Sequence, residues 1–311
     1  MNVIEWLLDA DPAIRWQVMR DLTDAGADEV AAERARVAVE GWGAQLLSLQ
    51  GADGQWDGGT YRPGWADESK PFFDAWTATT YSLLLLRDLG VAPDDPAVRR
   101  AIGLVRDNAR WEATGTPFFE GETEPCINGF AVAIGAYFGQ DVDGIVERLL
   151  TDELVDGGWN CWAEFGATVS SFNTTICVLE ALLEWERAGG SSEAVTAARR
   201  RSEEYVLERG LLRRRTTGQV IDPRFTMFSF PTRWYYDVLR GLDYFRAAGH
   251  EPDERLGEAL ALVAGKRDDE GRWPLENTHM GPTHFEMEGP DGFPSRWNTL
   301  RAMRVLRWAD A

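Results

Sequence analysis

The sequence has few cysteines and no long apolar run, and both absences exclude classes of protein. Its three cysteines, Cys126, Cys161 and Cys177, are too few and too scattered for a disulfide framework, so we expect a reducing compartment. No run approaches the roughly 20 apolar residues that span a bilayer. The first residues lack the basic start and cleavage site of a secretory signal. We therefore expect a cytoplasmic protein without a transmembrane segment.

A surplus of basic residues is also missing. The formal net charge is −19, which excludes nucleic acid as an expected partner and disfavours anionic membrane surfaces. The simplest interpretation of such an acidic chain is solubility. The sequence has no Gly-rich phosphate loop, nucleophile elbow or Cys-x-x-Cys pair, so ATP-dependent and cofactor-dependent redox chemistry is unsupported. We expect no cofactor.

What the chain does contain is a repeated unit of helix, tight turn and tryptophan. An apolar helical run ends, an Asp-Gly, Gly-Gly or Glu-Gly turn follows, and a tryptophan closes the unit at Trp56, Trp159 and Trp273. Such a turn reverses the chain at low steric cost, and the indole covers it with an apolar face and one N–H donor. A unit that recurs in this way along the chain indicates an array or a closed ring of structural repeats.

Apolar and charged helical patterns alternate between these units. Apolar helices are predicted from Asp11 to Leu22, from Asp74 to Leu89, and beginning near Cys126, Phe172, Arg233 and Arg296. More polar helices lie between them, including one roughly from Val30 to Leu49. A helix that is apolar all round is normally buried, and one with a charged face lies outside. We therefore predict one all-α domain over residues 1–311, an (α/α)6 toroid of inner and outer helices.

The starts of the predicted inner helices share polar positions. Arg-Trp-polar triplets begin at Arg15, Arg233 and Arg296, and weaker copies occur at the other starts. This register predicts a polar ring at one end of a central cavity, formed by Gln17, Thr77, Asn128, Asn173, Tyr235 and Asn298.

With these units and the alternation of helices, the chain resembles the squalene–hopene cyclase and protein prenyltransferase superfamily. The stretch from Leu46 to Trp56 looks like the Gln-Trp repeat of that superfamily, and the two later units are poorer copies without the leading Gln. The resemblance implies a toroid whose hydrophobic central cavity holds an isoprenoid. The Asp-x-Asp-Asp motif that supplies the acid in class II cyclases is absent, so another residue would have to donate the proton.

The prenyltransferase side of the resemblance implies zinc, bound by an Asp-x-Cys at one inner helix and a His at a later one. Here Glu124-Pro125-Cys126 stands at such a start, but Asn173 occupies the place of the His. His279 and His284 precede the last inner helix and are the available substitutes. We expect no metal, with zinc at Glu124 and Cys126 as the alternative.

Acids placed before inner helices are the other source of chemistry. Asp74, Glu124, Asp222 and Glu286 all have this position, and paired carboxylates in an apolar cleft can act as an acid and a base. The catalytic candidates are Asp74, Asp222, His284 and Glu286. The candidate substrate-binding residues are Gln17, Trp76, Asn128, Asn173, Arg224, Tyr235, Tyr236, Trp297 and Asn298.

Three functions remain open from the sequence. The first is a terpenoid cyclase-like or prenyltransferase-like enzyme that holds an isoprenoid or other hydrophobic small molecule. The second is a carbohydrate-active α/α-barrel enzyme that uses paired carboxylates. The third is a non-catalytic toroid that binds or scaffolds a partner. The sequence does not indicate a protein partner.

Overall fold

The structure is a computed structural model and describes residues 2–67 and 76–310. The prediction of an all-α fold is confirmed, because the described residues form thirteen α-helices and only one two-residue ladder, in which β1 (Trp273–Pro274) pairs antiparallel with β2 (Pro294–Ser295). None of these helices is long and apolar enough to cross a bilayer. In chain order the helices are α1 Val3–Leu8, α2 Pro12–Leu22, α3 Ala27–Arg36, α4 Gly41–Ser48, α5 Thr79–Leu89, α6 Pro96–Asn108, α7 Pro125–Tyr137, α8 Asp143–Thr151, α9 Phe172–Arg187, α10 Glu193–Leu207, α11 Val238–Ala247, α12 Gly257–Gly265 and α13 Arg296–Ala309.

Side-chain caps explain where several helices begin. Asp11 accepts the backbone N–H of Ala13 at 2.9 Å ahead of α2, as its place before Pro12 predicts. Asp95 caps α6 in the same way, with the N–H of Ala97 at 2.7 Å. These bonds satisfy donors that a helix start would otherwise leave unpaired.

Two helix boundaries differ from the prediction. The helix expected from Val30 to Leu49 is two helices, because α3 ends at Arg36 and α4 begins at Gly41, whose left-handed φ of 66° a continuous helix does not allow. The helix expected near Arg233 begins only at Val238. Arg233 itself has a φ of 56°, which a continuous right-handed helix does not allow.

The chain divides into two compact units, each built from separate stretches. The central unit comprises Val37–Glu203 and Met280–Phe285, and the terminal unit comprises Met1–Arg36, Glu204–His279 and Glu286–Ala311. In the central unit α5, α7 and α9 are almost fully buried, while α6 and α8 bury one face. This is the inner and outer alternation that the sequence predicts.

Close contact between α7 and α9 depends on Gly129. A Cβ atom at this position would lie 3.0 Å from the backbone carbonyl group of Cys177 on α9. Only glycine therefore lets the two helices approach this closely without a shift. The approach brings the first turns of both helices together, where the candidate site lies.

The tryptophan repeat has the same hydrogen bonds in all three copies. Each indole N–H donates to the backbone carbonyl ten residues earlier, at the end of the preceding helix, and each tryptophan backbone N–H donates to a threonine hydroxyl on the next buried helix. The indole bonds join Trp56 to Leu46 at 2.7 Å, Trp159 to Leu149 at 2.7 Å and Trp273 to Val263 at 2.6 Å. The threonines are Thr79, Thr175 and Thr299, at 3.1, 3.1 and 2.9 Å.

The terminal unit contains a buried network of charges between its helices. Asp243 on α11 accepts hydrogen bonds from Arg304 on α13 at 3.0 and 2.5 Å and from Arg246 at 2.8 Å. Burial raises the pKa of Asp243, but Arg304, Arg246 and Arg301 outweigh it and hold the pKa well below the ordinary value. Asp243 is therefore a buried, ionised anchor for α13.

Candidate active site around Glu124

A group of aromatic side chains forms one wall of the candidate site in the central unit. The ring of Tyr81, on α5, lies 4.9 Å from Trp76 in an edge-to-face contact, 5.5 Å from Tyr61 and 5.9 Å from Phe130 on α7. The Tyr81 hydroxyl donates to the Tyr61 hydroxyl at 2.9 Å. Such rings offer negative π faces within an otherwise apolar surface. The group is therefore suited to hold an unsaturated apolar molecule.

Glu124 brings a carboxyl group to this aromatic wall. It is the residue before α7, yet its side chain makes no capping hydrogen bond. Glu122 fixes the loop just ahead of α7, because one of its carboxylate oxygens accepts the backbone N–H groups of Thr123 and Glu124 at 2.6 and 2.8 Å. The Glu124 carboxyl group is close enough to Tyr61 to contribute to the raised pKa of that phenol, which is due mainly to burial.

The environment of Glu124 favours its protonated form. Burial raises the pKa of Glu124, and the negative charge of Glu122 raises it further. A hydrogen bond from the Cys126 thiol to Oε2, at 3.6 Å, lowers it less. A carboxyl group that keeps its proton beside aromatic rings can serve as a general acid.

All three cysteines of the chain lie near this carboxyl group. Cys126 on α7 and Cys161 in the turn after Trp159 place their sulfur atoms within 4.8 Å of each other and of a Glu124 oxygen. The Cys161 sulfur also lies 3.3 Å from the Thr174 hydroxyl. Cys177, on α9, is buried beside them. The neighbouring Cys161 sulfur raises the pKa of the Cys126 thiol, and burial adds to this, whereas the neighbouring Cys126 lowers the pKa of Cys161.

His284 belongs to the central unit, as part of the segment Met280–Phe285. Its Nε2 lies 3.0 Å from the Ser82 hydroxyl on α5, and the Trp76 indole N–H donates to the carbonyl of Met280 at 2.9 Å. Asp57 is close enough to His284 for the imidazole to influence the pKa of the Asp57 carboxyl group. Burial raises the pKa of Asp57, but hydrogen bonding and the nearby His284 ring bring it below its usual value. Of the catalytic candidates among the described residues, His284 is the one whose segment contacts the aromatic wall, through the bond from Trp76 to Met280.

The other three catalytic candidates lie elsewhere. Asp74 is outside the described residues. Asp222 belongs to the terminal unit, where a hydrogen bond from Arg224 lowers its pKa, so it stays ionised and is a poor acid. Glu286 is exposed. Its neighbour Glu288 is the buried acid of that segment, and it accepts from the Ser295 hydroxyl at 2.6 Å and from the Trp297 N–H at 3.0 Å.

Candidate binding residues of the central unit have different environments. Trp76 is part of the aromatic wall. Asn128 is fully buried, where its amide donates to the carbonyl of Glu122 and accepts the N–H of the same residue, both at 2.8 Å. It therefore holds the loop that positions Glu124. Asn173 is half-buried at the first turn of α9.

The candidate binding residues of the terminal unit are mostly engaged in structural bonds. Gln17 accepts a hydrogen bond from Arg304 at 3.2 Å, and Asn298 donates to the carbonyl of Pro274 at 3.0 Å. The Tyr236 hydroxyl donates to the carbonyl of Leu211 at 2.8 Å.

Three more of the candidate binding residues make ring-stacking or ion-pair contacts. Trp297 stacks on Phe230 at 4.2 Å, and Arg224 is exposed and pairs with Asp222. Tyr235 stacks on His279 at 4.2 Å. Burial lowers the pKa of His279 to about 4, and nearby arginines contribute to this.

The polar ring expected from the sequence therefore falls into both units. Asn128 and Asn173 lie in the central unit, while Gln17, Tyr235 and Asn298 lie in the terminal one. The residues that sequence reasoning missed are Tyr61, Tyr81 and Cys161. Tyr61 and Cys161 follow repeat tryptophans, five residues after Trp56 and two after Trp159. The position just after a repeat tryptophan is therefore the sequence signal for Tyr61 and Cys161.

The zinc site that the resemblance implies is incomplete at its histidine position. Asn173 offers no imidazole, His279 belongs to the terminal unit, and His284 bonds Ser82. Glu124, Cys126 and Cys161 supply one oxygen and two sulfurs, a donor set that a thiophilic ion accepts. We assign no step of the chemistry to a metal.

Comparisons with known proteins give distant structural neighbours. No protein-family model matches the chain, and no curated protein matches it. A protein from Actinoplanes is 15% identical, with a TM-score of 0.44 over 97% of this chain and 91% of that one. The type II terpene cyclase MstE from Scytonema is 17% identical, with a TM-score of 0.44 over 95% of this chain and 85% of that one.

A variant of MstE has been solved in complex with geranylgeranyl dihydroxybenzoate, its substrate. It is 14% identical to this chain, with a TM-score of 0.41 over 96% of this chain and 85% of that one. Identities and TM-scores this low carry no argument about activity. The chemistry of the site therefore has to be argued from the residues of this chain.

Proposed function

We propose that the protein is a terpenoid cyclase-like enzyme that protonates a carbon–carbon double bond of a hydrophobic, isoprenoid-type small molecule. The observation that carries the proposal is the Glu124 carboxyl group, which is partly buried, bonded by Cys126 and close enough to Tyr61 to affect its pKa. Tyr61 belongs to the aromatic group that Tyr81 forms with Trp76 and Phe130. Glu124 takes the place of the acid that the absent Asp-x-Asp-Asp motif would supply.

The chemistry needs a neutral acid and a surface that tolerates positive charge. The Glu124 carboxyl group gives its proton to the alkene, which leaves a carbocation on the substrate and a carboxylate on the protein. The π faces of the aromatic group attract that cation. Folding of the bound chain then lets another double bond attack the cation, and loss of a proton ends the reaction.

The local bonds explain why Glu124, and not Glu122, is assigned this role. Glu122 is buried, and its carboxylate is committed to the N–H groups of Thr123 and Glu124 in the loop ahead of α7. A group held in this way is structural. Its charge nevertheless disfavours a second ionised carboxylate nearby, which supports a protonated Glu124.

The carbohydrate alternative needs two carboxyl groups that both face the substrate. Glu122 is not available for this, because it holds the loop ahead of α7, and Asp222 is paired with Arg224 in the terminal unit. The wall beside Glu124 consists of aromatic rings and thiols, which supports an apolar substrate.

The test is turnover of isoprenoid probes by matched variants. Purified protein is incubated with geranylgeraniol and with geranylgeranyl dihydroxybenzoate, and isomeric products with fewer double bonds are sought by mass spectrometry and NMR. We expect Glu124→Gln to lose about 100-fold or more of the rate, as for removal of a general acid. Glu286→Gln, which alters an exposed acid, serves as the control. Loss of turnover in Glu286→Gln with full activity in Glu124→Gln would overturn the assignment.

A further inference from the structure

We propose that Cys126 and Cys161 form a reversible disulfide bond when the protein meets a hydroperoxide, and that this modification disables the acid at Glu124. The first half depends only on the positions of the thiols. The second half rests on the proposed function.

The pairing is set by the fold and not by closeness in sequence. Cys126 lies in the first turn of α7 and Cys161 in the turn after Trp159, yet their sulfur atoms are within 4.8 Å of each other. Both are free thiols. A disulfide needs the sulfurs about 2 Å apart, and rotation of the two side chains about their Cα–Cβ bonds is the shortest route to that distance.

The third cysteine provides an internal reference. Cys177 is buried in α9, but its sulfur does not belong to the close group of Glu124, Cys126 and Cys161. Gly129 fixes the approach of α9 to α7 at this point, so Cys177 cannot move towards Cys126 without disturbing helix packing. Of the three thiols, Cys126 and Cys161 are therefore the pair that reacts.

Reagent access favours Cys161 as the first thiol to react. It retains 8% of its surface, against 2% for Cys126, and the adjoining Trp162 is 68% exposed. Cys161 also lies in a turn, which moves more easily than the helix that carries Cys126. A small hydroperoxide can reach it without unfolding the unit.

The reaction balances in two steps. The sulfur of Cys161 attacks one oxygen of hydrogen peroxide, the O–O bond breaks, and a sulfenic acid and one water form. The sulfur of Cys126 then attacks the sulfenic sulfur, the S–O bond breaks, and a second water leaves with the Cys126 proton. Both sulfurs are oxidised and the peroxide is reduced. A dithiol such as dithiothreitol reverses the change by exchange.

The disulfide would alter the acid directly. The Cys126 thiol is a hydrogen-bond donor to Glu124 Oε2 at 3.6 Å, and a disulfide sulfur has no proton to donate. The sulfur of Cys126 must also move towards Cys161, because a disulfide holds the two sulfurs about 2 Å apart. The carboxyl group consequently loses this hydrogen bond, and its orientation is no longer fixed by Cys126.

Peptide mapping tests the bond itself. Trypsin leaves Cys161 and Cys177 on one peptide, residues 149–187, so the experiment uses Cys177→Ser protein, in which only the proposed pair remains. After hydrogen peroxide and alkylation of free thiols, we expect residues 111–148 linked to residues 149–187 in non-reducing digests. The link should disappear with dithiothreitol. Cys161→Ser protein should give no such link, and any cross-link there would have to join Cys126 to Cys177.

The outcomes separate this inference from the proposed function. A Cys126–Cys161 link in protein that never turns over an isoprenoid would sustain the modification site and count against the function. With active protein, we expect peroxide to lower turnover at least tenfold, dithiothreitol to restore it, and Cys161→Ser to resist the loss. Oxidation that stops at sulfenic acid, or stoichiometric zinc in the purified protein that protects both thiols, would overturn the disulfide.

Discussion

The Cys126 thiol donates a hydrogen bond to the Glu124 carboxyl group across 3.6 Å, from the first turn of α7. This bond favours the carboxylate, but burial and the charge of Glu122 act more strongly in the opposite direction and raise the pKa of Glu124. Glu124 therefore keeps its proton to a higher pH than an ordinary glutamate. The balance of these contacts leads to a prediction about pH.

Turnover should depend on protonated Glu124. Because the pKa of Glu124 is raised, we expect kcat/KM to be highest below that pKa and to fall tenfold per pH unit above it. Glu164, which is exposed, also contributes to the raised pKa. Glu164→Gln should therefore move the fall to lower pH without affecting the fold. A pH profile that is unchanged in Glu164→Gln and flat in the wild type would contradict the role of Glu124.

The ring of Tyr81 should matter more than its hydroxyl. The hydroxyl bonds Tyr61 at 2.9 Å, but the ring contacts Trp76, Tyr61 and Phe130 and lies at the centre of the aromatic group proposed to stabilise the cation. Loss of a cation–π contact of about 1–2 kcal/mol corresponds to a roughly tenfold lower kcat. We expect that loss in Tyr81→Leu and a much smaller one in Tyr81→Phe. Equal rates for the two variants, measured in the same turnover assay, would remove the ring from the mechanism.

The repeat was predictable from the sequence because one local arrangement recurs with its own residues. A helix end, a glycine turn and a tryptophan are adjacent in the chain, so Trp56, Trp159 and Trp273 are recognisable without any tertiary contact. The alternation of buried and charged helices follows from periodicity in the same local way. The prediction of an all-α fold rested on these signals and is confirmed.

The candidate site was less predictable because its members come from distant stretches. Glu124 was noticed before a buried helix, but the loop bonds of Glu122 that set it apart depend on the loop conformation. Cys161 meets Cys126 only through the approach of α9 to α7 at Gly129. The register at Arg233 was wrong for a local reason, since its left-handed backbone delays α11 to Val238.

Trp159 should contribute to stability through its indole N–H. The bond to the carbonyl of Leu149, at 2.7 Å, is buried, so Trp159→Phe leaves an unpaired carbonyl and a gap in the packing. We expect a loss of about 1–3 kcal/mol in the free energy of unfolding. Trp162→Phe is the matched control, because Trp162 is 68% exposed and its change should stay within about 0.5 kcal/mol. Urea unfolding measures the free-energy change of both variants, provided that their m-values are equal. Similar losses for Trp159→Phe and Trp162→Phe would contradict the structural role of the repeat.

Asp243 should be the most sensitive charge in the terminal unit. It lies largely buried among Arg304, Arg246 and Arg301, so Asp243→Asn removes the one acid that all three arginines share, although Arg304 keeps Asp21 at 3.5 Å. Removal of one member of a buried ion network costs about 3–5 kcal/mol. Asp222→Asn, which breaks the more exposed pair with Arg224, should cost about 0–1 kcal/mol.

The pH dependence of stability gives an independent check on Asp243. Its folded pKa lies below the ordinary value, so its contribution is present above the unfolded pKa of about 3.9 and is lost as the pH falls through the folded pKa. The free energy of unfolding of the wild type should therefore fall steeply below about pH 4. That of Asp243→Asn should be lower at neutral pH and should fall less over the same range. Urea unfolding at several pH values between neutrality and acid measures both slopes. Parallel slopes for the two proteins would mean that Asp243 is not held ionised by its arginines.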